Sequence, residues 1–82
     1  MKIKPLNEDL KKYLIKHSLA KKFDKQVNLF LNNPSHPSLH TEILEPKDWK
    51  VYSFRIDRKY RAIFSFTLNG DIEIVDINDH YQ

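Results

Sequence analysis

The chain has 82 residues, 14 Lys and Arg against 11 Asp and Glu, a net charge of +3 and a pI near 9.2, which bounds it to one domain spanning 1–82 with a mild preference for acidic partners. The absence of cysteine excludes disulfides and thiolate metal sites, and neither a signal-peptide apolar region nor a bilayer-length apolar run is present, so the expected location is cytoplasmic, with no membrane partner. Five Phe, four Tyr, one Trp and a single Gly point to a packed core rather than a disordered chain.

Leu10, Tyr13, Leu14 and His17 recur at helical spacing, so a helix is predicted from Asn7, with Asn7 as N-cap and Glu8 and Asp9 at its positive end. Ser18 separates it from a second helix carrying Leu19, Ala20, Phe23, Val27, Phe30 and Leu31 on one face. That helix ends at Asn32-Asn33-Pro34, where Asn tolerates the left-handed region and Pro blocks continuation. The outer face holds Lys11, Lys12, Lys16, Lys21, Lys22 and Lys25. Such a stripe is more often a solvated surface than a phosphate contact.

Residues Ser35 to Ser38 read as a loop, Leu39 to Leu44 as a short strand, and Glu45 to Asp48 as a turn. Three longer antiparallel strands are expected at Trp49 to Ile56, Tyr60 to Leu68 and Asp71 to Ile77. Met1 to Leu6 is a weak edge-strand candidate because of Pro5 and its lysines. The expected fold class is α+β: an N-terminal two-helix hairpin packed on one face of a twisted antiparallel sheet of three to five strands.

Strand parity then assigns faces. Asn69-Gly70 signals a two-residue type I′ hairpin, which pairs Leu68 with Asp71, Phe66 with Glu73, Phe64 with Val75, Ile63 with Asp76, and Arg61 with Asn78. A three-residue turn at Asp57-Arg58-Lys59 pairs Arg55 with Arg61, flanked by Ser53, and His80 continues the same face. Tyr52, Phe54, Ala62, Phe64, Phe66, Val75 and Ile77 then face the helices, leaving Ile63, Ile72 and Ile74 with the arginines. Trp49 reads as core or lid rather than a base-stacking platform.

Two neighbouring guanidinium groups repel each other unless an anion lies between them. Asp76 is the ordinary candidate and a phosphate the functional one, because the planar fork of Arg matches phosphate oxygens. His80 supplies an imidazole able to act as acid or base near neutrality, and Tyr81 a hydroxyl and a stacking face. His40 and Glu42 alternate on the short strand and reach toward the same cleft or stand exposed at an edge. Pro37 between His36 and His40 makes a helical metal pair implausible. No phosphate loop, nucleophile elbow or metal-ligand run appears.

The order of two helices, an Asn-Pro-x-His-Pro-Ser-Leu loop, a Tyr-Ser-x-Arg-Ile strand, a Tyr-Arg-x-Ile-Phe strand and a terminal His-Tyr resembles the RelE/ParE superfamily of type II toxin-antitoxin toxins, from about Phe23 to Tyr81. The endings look most similar to the ribosome-dependent mRNA interferases of the RelE and YoeB kind. The resemblance implies a metal-independent and cofactor-free endoribonuclease that inhibits translation, with Arg61 as transition-state arginine, Arg55 as phosphate contact, His80 as acid or base and Tyr81 positioning the nucleotide. His40 is a further catalytic candidate, and Ser53, Lys50, Arg58 and Lys59 are the RNA-binding candidates. The implied partners are mRNA, the ribosome and a small cognate antitoxin encoded nearby, forming a hetero-oligomer. The chain departs from the pattern where a YoeB-like toxin carries a basic glutamate before the second strand, since that stretch reads His36-Pro37-Ser38-Leu39-His40. Either a histidine substitutes or the nuclease is weak or inactive. A ParE-like gyrase inhibitor without chemistry, and a non-enzymatic RNA-binding or adaptor module using the basic helices, are the alternatives.

Overall fold

A computed structural model describes residues 1–79. The first helix, α1, spans Glu8–Lys16, and the second, α2, Ala20–Asn32. Asn7 caps α1 as its sequence requires: the side-chain oxygen accepts from the Leu10 amide at 2.8 Å, satisfying one of the amides that a helix start leaves without a partner. Ser18, at φ 56°, turns the chain between the two helices. At the other end of α2, Asn33 is extended at φ −154° rather than left-handed, and its amide closes the helix on Leu29.

Four antiparallel strands follow in the order β1-β2-β3-β4: β1 is Glu42–Ile43, β2 Tyr52–Arg55, β3 Arg61–Phe66 and β4 Ile72–Asn78. The expected α+β layering holds. Phe54 and Phe64 are fully buried and meet Phe30 of α2 at ring-centroid distances of 5.7 and 5.1 Å, with Phe23 at 6.3 Å from Phe54. These rings, with Leu10, Leu14, Leu19, Leu39 and Ile56, form one core between the helices and the sheet. The N-terminal edge strand reduces to a single parallel bridge from Ile3 to Ile72. No helix among the described residues is long and apolar enough to cross a membrane.

The β3–β4 hairpin differs from its expected register in an instructive way. The loop has three residues, Leu68 to Gly70, closed by the Thr67 amide donating to the Asp71 carbonyl at 2.7 Å, and only Gly70 has a positive φ, at 83°. Asn69 therefore does not adopt the type I′ geometry. Phe66 pairs with Ile72 and Phe64 with Ile74, one residue off the expected register. A bulge at Val75 then restores it, so Ile63 pairs with Asp76 and Arg61 with Asn78 as expected. The shift turns Ile72 and Ile74 into the core and leaves Val75 49% exposed. Phe66, expected in the core, lies beyond the cover of the helices and is 45% exposed.

Other segments also differ. The stretch expected as strand from Leu39 is instead a 3-10 turn, Pro37–Leu39, followed by His40 in the left-handed region at φ 45°. A second 3-10 turn, Lys47–Trp49, replaces the start of the expected Trp49 to Ile56 strand. It leaves Trp49 74% exposed, neither core nor covered.

Candidate functional site

The sheet face turned away from the helices carries two cross-strand rows. One runs Glu42, Ser53, Ile63, Asp76, and the next runs Arg55, Arg61, Asn78. The loop at Asp57 to Lys59 sets the second row, because the Ile56 amide donates to the Tyr60 carbonyl at 2.9 Å and brings Arg55 opposite Arg61. Asp57 locks this loop by accepting from the amides of Lys59 and Tyr60 at 2.9 and 2.8 Å. Burial pushes the Asp57 carboxyl up, but those two amides and the Lys22 ammonium outweigh it and hold the group below its ordinary value.

Arg61 occupies the centre. It faces away from the helices as parity requires, yet it is only 5% exposed, so it lies docked on the sheet rather than projecting into solvent. Its Nε donates to Ser53 Oγ at 3.0 Å, and one terminal nitrogen donates to the carbonyls of His40 and, at 3.5 Å, Ser53. Burial pulls the guanidinium below its ordinary value, Glu42 opposes this by attraction, and Arg55 adds repulsion in the lowering direction. A carboxylate and two guanidinium groups thus share one surface, with Glu42 paired in register to the serine that holds Arg61. Glu42, not Asp76, is the carboxylate whose charge opposes the lowering of Arg61, and Asp76 accepts from Asn78 at 2.8 Å.

The remaining candidates divide. Ser53 is wholly buried, so it orients Arg61 and has no surface to offer RNA. His40 meets Arg61 through its backbone carbonyl, while the residue is exposed and borders a separate 390 Å³ hollow with Pro34, Ser35, His36, Pro37 and Thr41. Its left-handed backbone breaks the alternation that made its imidazole a partner of the cleft. Arg58 is exposed beside Arg55. Lys59 is also exposed, engages Asp79 at 3.8 Å and lies 5.4 Å from the Tyr60 ring centre. Lys50 is exposed and lies in the left-handed region at φ 54°, after the second 3-10 turn and two residues before β2. His80 and Tyr81 lie outside the described residues.

Glu42 and Gln26 were the residues sequence reasoning undervalued. The signal for Glu42 was parity with Ser53, available only once the β1–β2 register was known. Gln26 was not singled out from the sequence, but it is buried and its Nε2 donates to the carbonyls of Arg55 at 2.8 Å and Ser38 at 3.4 Å, tying α2 to the end of β2.

No family model matches the chain. An uncharacterized protein of Haemophilus influenzae is 37% identical over 46 residues, covering 56% of this chain and 45% of that relative, so the match spans less than half of the curated relative's length. Among solved structures, a YoeB/ParE toxin from Agrobacterium tumefaciens superposes with a TM-score of 0.72 at 16% identity, covering 99% of this chain and all of the other. The YoeB dimer from Staphylococcus aureus gives 0.71 at 20% identity, and the heterotetrameric YoeB-YefM toxin-antitoxin complex from the same organism 0.68 at 22%, each covering 98% of this chain and 94% of theirs. The chain has the RelE/YoeB-like α+β fold, as its resemblance to the RelE/ParE superfamily implied.

Proposed function

We propose that this protein is the toxin of a toxin-antitoxin pair and acts as an endoribonuclease on mRNA in the ribosome, which would make the cytoplasm its place of work. The observation that carries the reading is the row of Arg55 and Arg61 beside Glu42 on the open sheet face of a YoeB-like fold. Arg61, fixed by Ser53 and the His40 carbonyl with Arg55 opposite it in register, suits a phosphate whose charge increases in the transition state, because a charge positioned before reaction costs no reorganisation.

In this mechanism Glu42 removes the proton of a ribose 2′-OH, and the oxygen attacks the adjacent phosphorus in line with the departing 5′-oxygen. Arg61 and Arg55 stabilise the charge on the non-bridging oxygens. His80 protonates the leaving oxygen, and Tyr81 stacks on the base beside it. The products are a 2′,3′-cyclic phosphate and a free 5′-hydroxyl. Glu42 is favoured over His40 as base because it faces the arginine row from a paired strand, whereas His40 contributes a carbonyl to Arg61. The antitoxin of the YoeB-YefM complex supplies the expected partner type, a protein that forms a hetero-oligomer with this chain.

The test is cleavage of mRNA on translating ribosomes by Glu42→Gln and His40→Ala variants. The expected result is a loss of about 10² to 10⁴-fold for Glu42→Gln and little change for His40→Ala. Equal activity of wild type and Glu42→Gln removes the assigned base. Toxicity without RNA cleavage, accompanied by loss of DNA supercoiling, would replace the nuclease by a gyrase inhibitor.

A further inference from the structure

Four cations converge on a 290 Å³ cavity between α2 and the loop joining β2 to β3. Lys22 and Lys25 come from α2, Arg55 and Arg58 from the strand end and loop, and Gln26 and Ser38 complete the wall. One carboxylate, Asp57, shares the space, but it is already engaged by Lys22 at 3.3 Å and by two loop amides. Lys25, Arg55 and Arg58 have no carboxylate within ion-pair distance among the described residues. Lys11, on α1, differs: it is answered by Glu8 at 3.6 Å on its own helix, as a solvated face would be.

Cations facing one another across a cavity are held against their own repulsion. Here the two walls are not free to drift apart. Gln26, next to Lys25 in sequence, fastens α2 to the Arg55 carbonyl, and Lys22 clasps the loop through Asp57. The cavity has room for about ten water volumes, enough for a phosphate with part of a ribose. Arg55 borders it and is also the register partner of Arg61, so the cavity opens beside the arginine row.

We propose that this cavity is a phosphodiester-binding subsite, in which Lys25 and Arg58 hold the RNA backbone at a phosphate next to the one that Arg55 and Arg61 contact. The identity of the ligand as RNA rests on the nuclease reading; the anion site itself does not. It gives the lysines of α2 a role that the surface stripe alone did not. It also explains the orientation of the strand end, since the same glutamine that buries its amide against Arg55 sets the spacing between the two cationic walls.

The experiment is binding of a fluorescent 2′-O-methyl oligoribonucleotide, which lacks the attacking hydroxyl and is not cleaved, to the full chain and to Lys25→Gln/Arg58→Gln across a salt series. Both residues are exposed, so the variant should fold, and Lys25→Arg/Arg58→Lys serves as the charge-keeping control. The expected result is at least about tenfold weaker binding at low salt, and a salt slope shallower by about 0.7 for each cation removed, with the control near wild type. Unchanged affinity and slope would overturn the subsite. So would loss of binding to a poly-glutamate peptide with oligonucleotide binding intact, which would assign the cavity to an acidic protein instead. If the double variant shows the expected loss while the wild type never cleaves RNA on ribosomes, the subsite stands and the nuclease reading falls.

Discussion

Replacing Arg61 by Ala separates a docked arginine from a projecting one. The guanidinium is 5% exposed and supplies hydrogen bonds to Ser53 Oγ and to the Ser53 and His40 carbonyls, and Ser53 has no exposed surface. Removing it leaves these acceptors without the donor they face, at about 1–3 kcal/mol for each group that stays dry. Two effects offset part of the loss. The desolvation cost of the buried charge disappears, and a site this near the surface admits water to some of the orphaned oxygens. A net destabilisation of about 1–3 kcal/mol follows, which for a domain of this size lowers the melting temperature by roughly 5–20 °C. Arg55→Ala is the comparison, since no hydrogen bond or ion pair anchors its half-buried side chain among the described residues, and it should cost under about 0.5 kcal/mol. Thermal and urea unfolding followed by circular dichroism measure both. Equal melting temperatures for Arg61→Ala and wild type would show that the guanidinium is not held by Ser53 and His40 in solution. The practical consequence is that lost cleavage in Arg61→Ala reports chemistry only after its folded fraction has been measured.

Phe54→Ala should destabilise by about 3–5 kcal/mol in urea unfolding, because the ring is fully buried among Phe23, Phe30 and Phe64 and its removal leaves a cavity; a loss below 1 kcal/mol would contradict that packing. Gly70→Ala should cost about 1–2 kcal/mol through backbone strain alone, since φ is +83° and a Cβ there meets nothing within 4 Å, so an unaffected melting temperature would argue against the left-handed turn. Asp57 has a depressed folded pKa, so its stabilising contribution is complete above the ordinary value of 3.8 and is lost as the pH falls through the lower folded value. Urea unfolding of wild type and Asp57→Asn should therefore differ at neutral pH and converge in strong acid, and a gap that persists in acid would exclude the ionised carboxylate as its source.

Local rules in the sequence were enough for the two helices, the Asn7 cap, the Ser18 break, the loop at Asp57 to Lys59 and the pairing of Arg55 with Arg61. Each depends on residues close in the chain or on the length of one tight turn. The sharing of a face by Arg61 and Asn78 was legible too, although by a compensation: the Asn69-Gly70 loop is one residue longer than its dipeptide suggests, and the bulge at Val75 cancels the shift before Arg61. Between the loop and the bulge nothing cancels it, which is why Ile72 and Ile74 went to the wrong face and Val75 to the core. Parity carries no memory of an inserted residue, so a single bulge reverses every assignment on one side of it. Tertiary structure alone decided that Phe66 and Trp49 stand beyond the reach of the helices, that the left-handed turn at His40 gives Arg61 a carbonyl rather than an imidazole, and that Glu42 takes its place beside Ser53. It also decided the burial of Arg61 and Gln26. Both are polar residues whose burial depends on partners far along the chain, Ser53 and His40 for one and Ser38 and Arg55 for the other, and no local pattern in the sequence announces such partners.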